Sequence, residues 1–276
     1  MKNFVSLILL LTIFYSCKKD TLPSPPPPPA PPADTQKILL RDMVIRSLPS
    51  PYYHFEYNDS NYITHVDFSS GTRLYDFSYN GRLVKEIKNN HFVNKDRIEY
   101  TYSNDQVSYI KIIDENGTVY KRAFLQYSTT GKLTSVEWEL RLSSVGYAAY
   151  RMLTFTYFPD GNLQEMVNRT YSIPGIQDFS LRSDKFSNYD NKVNADGFIW
   201  LHQTDEHLIF LPRIKLQLNN PGKNIRSGDG INYEIQYAYT YDSGGRPLTK
   251  TGDVLFTSGP NQGQHFESLY TFSYYE

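Results

Sequence analysis

The chain has almost no cysteine. Cys17 is the single one in 276 residues, so no intrachain disulfide can form and stability must come from packing and hydrogen bonding. Past the N-terminus no apolar run approaches the roughly twenty residues that a spanning helix needs. Neither charge is in surplus, with 28 Lys and Arg against 29 Asp and Glu. Binding a polyanion requires an excess of cations on one face, so no nucleic-acid partner is expected. A sustained 3.6-residue apolar period is also missing; only Leu39 to Leu48 is ambiguous.

Aromatics are abundant instead: 15% of residues, with 24 tyrosines. Flat rings suit a pleated, half-buried surface, which points to strands. The rings recur in a phrase: an aromatic strand ending in Tyr, a turn usually carrying Gly, then an aliphatic restart. It reads Phe77-Ser78-Tyr79-Asn80-Gly81-Arg82-Leu83, Leu125-Gln126-Tyr127…Gly131-Lys132-Leu133 and Phe155-Thr156-Tyr157…Gly161-Asn162-Leu163. Looser copies surround Tyr57 and Tyr102, a fuller one is Tyr239-Thr240-Tyr241…Gly245-Arg246-Pro247-Leu248, and Tyr270 to Tyr274 forms half a copy. A repeat of this period sets architecture before any single residue does.

Alternation identifies the strands. From Ile231 to Tyr241 the odd positions are all large and apolar or aromatic, and the even ones small or polar, which is the pattern of a half-buried strand. Ile98-Tyr100-Tyr102, Val136-Trp138-Leu140 and Leu153-Phe155-Tyr157 alternate likewise. Asn80-Gly81 is the preferred pair for a two-residue hairpin with positive φ at both positions. Pro159-Asp160-Gly161 and Ser243-Gly244-Gly245 suit longer turns, and Asp114-Glu115-Asn116-Gly117 should turn between repeats. The expected fold is all-β: one antiparallel up-and-down meander. With no helices to cover its apolar face, the sheet must curl into a closed or nearly closed barrel or fold over as a sandwich. The phrase lapses between Tyr157 and Tyr241. Residues 172–229 are expected to form an irregular excursion packed on the sheet or across one end, with one strand at Arg213 to Leu218.

The N-terminus is organised differently. Lys2, an apolar core from Phe4 to Phe14 and small Ser16 before Cys17 read as a secretory signal peptide over residues 1–16. Phe14-Tyr15-Ser16-Cys17 resembles a lipobox, which implies diacylglyceryl attachment to Cys17 and a lipid anchor in the cell envelope; the outer membrane, on its periplasmic or surface side, is the leading expectation, and Lys18-Lys19-Asp20 does not decide between inner and outer membrane. Two or three acyl chains would hold the protein to a membrane, where one would be marginal. Residues 17–37 form a linker with a proline run from Pro25 to Pro32 broken only by Ala30. Such a run adopts polyproline II at about 3 Å per residue, a stiff spacer of roughly 30–40 Å. The folded domain is expected over residues 38–276.

Tyr241-Asp242…Gly245-Arg246-Pro247-Leu248 and Tyr79-Asn80-Gly81-Arg82-Leu83 resemble the YD repeat of Rhs-type and teneurin-type proteins. Together with the lipobox and the excursion, the whole chain is similar to Bacteroidetes-type lipoproteins of unknown function. That resemblance implies a porin-like all-β fold and transfers no catalytic residue.

Nothing in the sequence assembles an enzyme. His202 and His207 lie near Trp200, Asp205 and Glu206, but a His-x4-His spacing does not build a zinc site. Asp184, Asp190, Asp196 and Asp205 form no calcium loop, and no Gly-x-Ser-x-Gly elbow occurs. Glu137 and Glu139 share one strand face, as a glycosidase pair would, yet solvent-facing Glu on an alternating strand is ordinary. No cofactor, metal or catalytic residue is expected. The leading expectation is a non-enzymatic envelope lipoprotein that binds a glycan or envelope protein, using Trp200, His202 and His207. The alternatives are a purely structural lipoprotein, a carbohydrate-active enzyme, or a transmembrane barrel. Exposure of Trp200 and its neighbours would favour binding, and burial would favour the structural role.

Overall fold

The computed structural model describes residues 38–90, 95–143, 146–176, 178–205, 207–211 and 214–276. The signal peptide, Cys17 and the Pro-rich linker lie outside the described residues. Sixteen strands follow in order: β1 (Leu40–Ile45), β2 (Tyr53–Tyr57), β3 (Ile63–Phe68), β4 (Arg73–Asn80), β5 (Leu83–Asn89), β6 (Arg97–Ser103), β7 (Gln106–Ile113) and β8 (Val119–Tyr127). The second half is β9 (Leu133–Leu142), β10 (Gly146–Tyr157), β11 (Leu163–Tyr171), β12 (Phe179–Ser187), β13 (Lys223–Gly228), β14 (Tyr233–Tyr241), β15 (Pro247–Phe256) and β16 (His265–Tyr274). Each strand pairs with its sequence neighbours, and β1 pairs antiparallel with β16, so the meander closes into a barrel. The expected all-β meander is therefore found, and closure leaves no edge strand unpaired.

The recurring tyrosine has a definite geometric place. Each copy sits at a register shift: Glu56/Tyr57, Ser78/Tyr79, Thr101/Tyr102, Gln126/Tyr127, Thr156/Tyr157 and Thr240/Tyr241. A bulge bends its strand and re-aims one side chain. In β2, β4, β6, β8 and β10 it lets the phenol reach across to the preceding strand and donate to a main-chain carbonyl, while Tyr241 of β14 donates instead to the Asp190 carboxylate. Tyr57 bonds Leu40 O at 3.0 Å, Tyr79 bonds Ile63 O at 2.7 Å and Tyr102 bonds Val84 O at 2.7 Å. Tyr127 bonds Val107 O at 2.8 Å, Tyr157 bonds Leu133 O at 2.8 Å and Tyr274 bonds Pro247 O at 2.6 Å. The result is a belt of six such bonds, each tying a strand to the one before it.

The residue after the tyrosine shapes the turn. Asp242 Oδ1 accepts from the N–H groups of Gly244 and Arg246 at 2.9 and 2.8 Å, while Arg246 Nε donates to Oδ2 at 2.6 Å. Asn58 plays the same part for Ser60 and Tyr62, both at 3.0 Å. This is the turn-capping role of a short polar side chain. One turn departs from expectation. The bulge before Tyr79 shifts the register, so Asn80 pairs with Leu83 and the two-residue loop is Gly81-Arg82. Only Gly81 there has positive φ, at 61°, whereas Asn104 and Asp105 both have it, at 50° and 63°.

The barrel wall has two chemically distinct faces. Met43, Phe55, Val66, Ile87, Ile98, Ile110, Trp138, Leu153 and Phe186 point inward and are buried. The outer face carries charge in rows. Across β5, β6 and β7, Glu86, Arg97, Glu99 and Lys111 pair at 3.4 to 3.8 Å. Arg122 pairs with Glu139, and Lys223 with Glu234 at 2.8 Å. Glu137, between Phe124 and Met152 in register, is on that face too. Among the described residues no helix is long and apolar enough to cross a membrane.

A barrel of sixteen strands is too wide for wall side chains alone to fill. The irregular segment between β12 and β13 fills it. Ile199, Trp200, Leu201, Leu208, Ile209, Leu211 and Leu216 join the same apolar core as the inward residues of the wall. Phe198 packs edge-on against Tyr53 and Phe55 of β2, Phe210 against Phe77 of β4, and Trp200 against Phe186 of β12. The segment thus packs on the sheet, as the first of the two expected placements has it, and does so on the inner face as a plug. It is also shorter than expected. Residues 179–187 and 223–228 belong to wall strands, leaving 188–222 as the plug. The strand expected from Arg213 to Leu218 is absent among the described residues; residues 193 and 219 form only an isolated bridge. A short helix, α1 (Ile199–His202), is the plug's regular element.

Candidate functional site

Polar side chains inside an apolar barrel must be paired, because burying an isolated charge is costly. Lys121 lies on β8 at the same parity as Ala123 and Leu125, so its ammonium points inward. It donates to both oxygens of plug residue Asp205, at 3.2 and 3.1 Å. Asp205 Oδ1 also faces His207 Nδ1 at 2.9 Å and accepts the His207 backbone N–H at 3.0 Å. The other ring nitrogen, Nε2, faces Asp96 Oδ2 at 2.9 Å and the Tyr120 hydroxyl at 3.0 Å. Tyr120 in turn donates to Asp96, and Tyr150 donates to Asp205 at 3.1 Å.

Both nitrogens of His207 therefore face carboxylates, which requires the imidazolium. Burial opposes this cation, but hydrogen bonds to Asp205 and Asp96 prevail and raise it above its ordinary 6.5. Burial would likewise raise Asp205; His207 and Lys121 reverse that and hold its carboxyl well below the usual range. The row Lys121–Asp205–His207–Asp96 alternates in sign and joins plug to wall.

His202 differs although it is five residues away. It is buried, and its Nδ1 lies 2.6 Å from the Tyr53 hydroxyl. Burial, aided by the charge of Arg73, pushes it down to about 4, so the ring is neutral and shares a hydrogen bond with the Tyr53 hydroxyl. Trp200 is 8% exposed and donates through Nε1 to Gln217 at 3.1 Å. The structure thus gathers Trp200, His202 and His207 in the plug, but with their polar atoms directed at protein partners.

Two further contacts hold the plug. Lys250 of β15 reaches Asp196 at 2.7 Å, with the rings of Tyr237 and Tyr270 at 4.5 and 5.2 Å from its nitrogen. Near the tyrosine belt, Asn162 Oδ1 accepts the backbone N–H groups of Leu218 and Asn219, both at 2.9 Å. Among the described residues no group of three or more His, Cys, Asp or Glu is arranged to hold a metal.

Sequence reasoning picked out His207 and Asp205 but missed Lys121, Asp96, Tyr120, Tyr150 and Lys250. A readable signal existed: Lys121, Asp184 and Lys250 each share strand parity with apolar inward residues. For Lys121 and Lys250 the partner comes from the internal segment, whereas Asp184 is paired within the wall by Arg226 of β13.

No family model and no curated protein matches the chain. Solved structures do. A porin-like protein from Bacteroides uniformis is similar with a TM-score of 0.56 at 12% identity, covering 81% of this chain and 89% of that one. A porin-like protein from Bacteroides vulgatus gives a TM-score of 0.51 at 14% identity, covering 80% of this chain and 92% of that one. At such identities the likeness concerns the fold: this chain has the all-β barrel architecture of these porin-like proteins.

Proposed function

We infer that this chain is a lipid-anchored protein of the bacterial cell envelope, most simply of the outer membrane, whose barrel is a closed, non-conducting and non-enzymatic module. The observation that carries this reading is the inversion of a pore: charge on the outside, a packed plug within. A lipid-facing wall would have to place Arg97, Lys111 and Arg122 in hydrocarbon, at about 2–4 kcal/mol each near the midplane. A conducting barrel would need a wet lumen, whereas Trp200, Leu208 and Ile209 occupy this one. The anchor rests on sequence alone: Cys17 follows an apolar leader and precedes a stiff spacer. The Tyr-Asp turn chemistry at Asp242 supports reading the hairpins as degenerate YD-type units. Burial of Trp200 favours a structural role over glycan stacking by that ring.

Metabolic labelling with a fatty acid tests the anchor. Wild type should take up label and sediment with membranes, while Cys17→Ala should do neither. Equal labelling of both would overturn the reading. In planar bilayers the protein should give no discrete conductance; reproducible channel steps would overturn the non-conducting barrel.

A further inference from the structure

The plug does not use every charge on the inner wall. Arg151 of β10 shares inward parity with Leu153 and Phe155; Arg182 of β12 shares it with Asp184 and Phe186. Register places Arg182 between Asn168 of β11 and Gly228 of β13, and Asp184 opposite Arg226 of β13. Arg151 lies opposite Thr170, one inward step further along β11. The three guanidiniums therefore run diagonally over adjacent strands on one inner surface.

One carboxylate lies among the described residues of this surface, and it serves Arg226 and, at longer range, Arg182. Asp184 is fully buried and held in a fork by Arg226, with Nε and Nη2 at 2.8 and 3.1 Å from its two oxygens. Arg182 comes only to 3.9 Å from the same carboxylate. Arg151 lies over the Tyr150 ring at 5.4 Å and hydrogen-bonds the Tyr150 hydroxyl, a neutral partner. The Nε atoms of Arg151 and Arg182 are buried and have no hydrogen-bond partner. Among the described residues Arg182 and Arg226 share the one carboxylate of Asp184, and Arg151 adds a third cation beside Arg182.

The patch is open to solutes. The Arg182 side chain is 34% exposed. Ser180, one inward step nearer the strand end, is exposed, and so is Phe266, which faces inward opposite Val254. The mouth of the barrel on this side is consequently wet, beyond the level the plug reaches. Burial and the neighbouring charge of Arg226 both work against the Arg182 cation, a condition that a bound anion would relieve.

We propose that this inner wall is a binding site for an oxyanion, held between the guanidiniums of Arg151 and Arg182 with Arg226 and Asp184 as the fixed base beneath. A guanidinium presents parallel N–H groups whose spacing fits two oxygens of one carboxylate, phosphate or sulfate. The ligand is the anionic group of a small solute entering through the mouth. This goes beyond the structural role inferred above and does not depend on the lipid anchor.

Isothermal titration of the full chain in uncharged detergent, at constant ionic strength set by chloride, tests the site. The probes are inorganic phosphate, sulfate and acetate. Wild type should bind at least one of them saturably at one site per chain. Arg182→Gln and Arg151→Gln should each weaken binding at least tenfold. Arg182→Gln should fold at least as stably as wild type in chloride, since it removes a poorly paired cation; Arg151→Gln provides a second check on the same site. Preference for phosphate and sulfate would indicate a tetrahedral ester, and preference for acetate a carboxylate ligand. Binding of none of the three, or undiminished binding by both variants, would overturn the proposal.

Discussion

Replacing Lys121 by Met gives the sharpest test of how the plug is held. The substitution keeps most of the aliphatic stem and removes the ammonium. Asp205 then loses its contact with the Lys121 ammonium, while its hydrogen bonds from His207 and Tyr150 remain. Lys121 and Asp205 side chains are 6% and 1% exposed, so solvent cannot replace the lost donor. Breaking a buried ion pair on one side costs about 3–5 kcal/mol. The surviving partners of Asp205 place the expected loss near the lower bound, about 3 kcal/mol. For a domain of this size that corresponds to a fall in Tm of roughly 6–12 °C.

Urea denaturation followed by tryptophan fluorescence measures it, and the two tryptophans separate the layers. Trp138 sits in β9 of the wall and Trp200 in α1 of the plug. In Trp138→Phe and Trp200→Phe backgrounds the midpoint should fall in both when Lys121→Met is added, and further where Trp200 reports. A cycle with Asp205→Asn should show coupling of at least about 1.5 kcal/mol, as residues in one network are non-additive. A loss below about 0.5 kcal/mol, or strictly additive effects, would refute the view that this row pins the plug.

Other outcomes follow from the same geometry. His202 is neutral in the fold and lies at about 4 against an ordinary 6.5. Its contribution is therefore complete above pH 6.5 and is lost as pH falls toward 4, roughly 3 kcal/mol at 1.36 per unit. Urea midpoints between pH 4 and 8 should show this acid limb in wild type and a flatter one in His202→Asn. His207 has the opposite sign: its raised value gives stability that is full below pH 6.5 and fades as pH climbs through the folded value, so His207→Gln should flatten the alkaline limb. Tyr127→Phe deletes one belt bond and leaves the Val107 carbonyl without its donor, which should cost about 1 kcal/mol by the same denaturation assay. Gly228→Ala places a Cβ 2.2 Å from the Leu181 carbonyl oxygen at a φ of 111°, and should cost about 2 kcal/mol or more.

Much of the wall was legible because its chemistry is local. Strict alternation from Tyr233 to Tyr241 and the Gly-bearing turns identify hairpins, and hairpins without helices must close or fold over. The belt was half legible: a tyrosine at every repeat asks for a partner, but its partner is the main chain of the preceding hairpin, made reachable by a bulge that alternation does not reveal. That same bulge moved the turn from Asn80-Gly81 to Gly81-Arg82. The plug was legible only as an irregular excursion in the repeat; its place inside the barrel was not. Residues 188–222 follow no period because their conformation is set by the surface they fill rather than by their own backbone preferences. Even Leu216, which reads as part of a strand, is buried by contacts inside the barrel and not by a ladder.

The inward charges link these two layers. A wall built by repetition can vary its inward side chains only where something stands opposite them. Lys121, Lys250 and Asp184 occupy positions that an empty or purely apolar lumen would penalise, and the first two meet Asp205 and Asp196 of the plug. Wall and plug are therefore mutually specified: neither set of charges is tolerable alone, and their coincidence fixes the plug in one orientation. Arg151 and Arg182 break that rule. They carry inward charge where no plug residue among the described residues supplies a close partner, which is why the mouth over β10 to β13, rather than the aromatic plug, is the place where a ligand can complete the pairing.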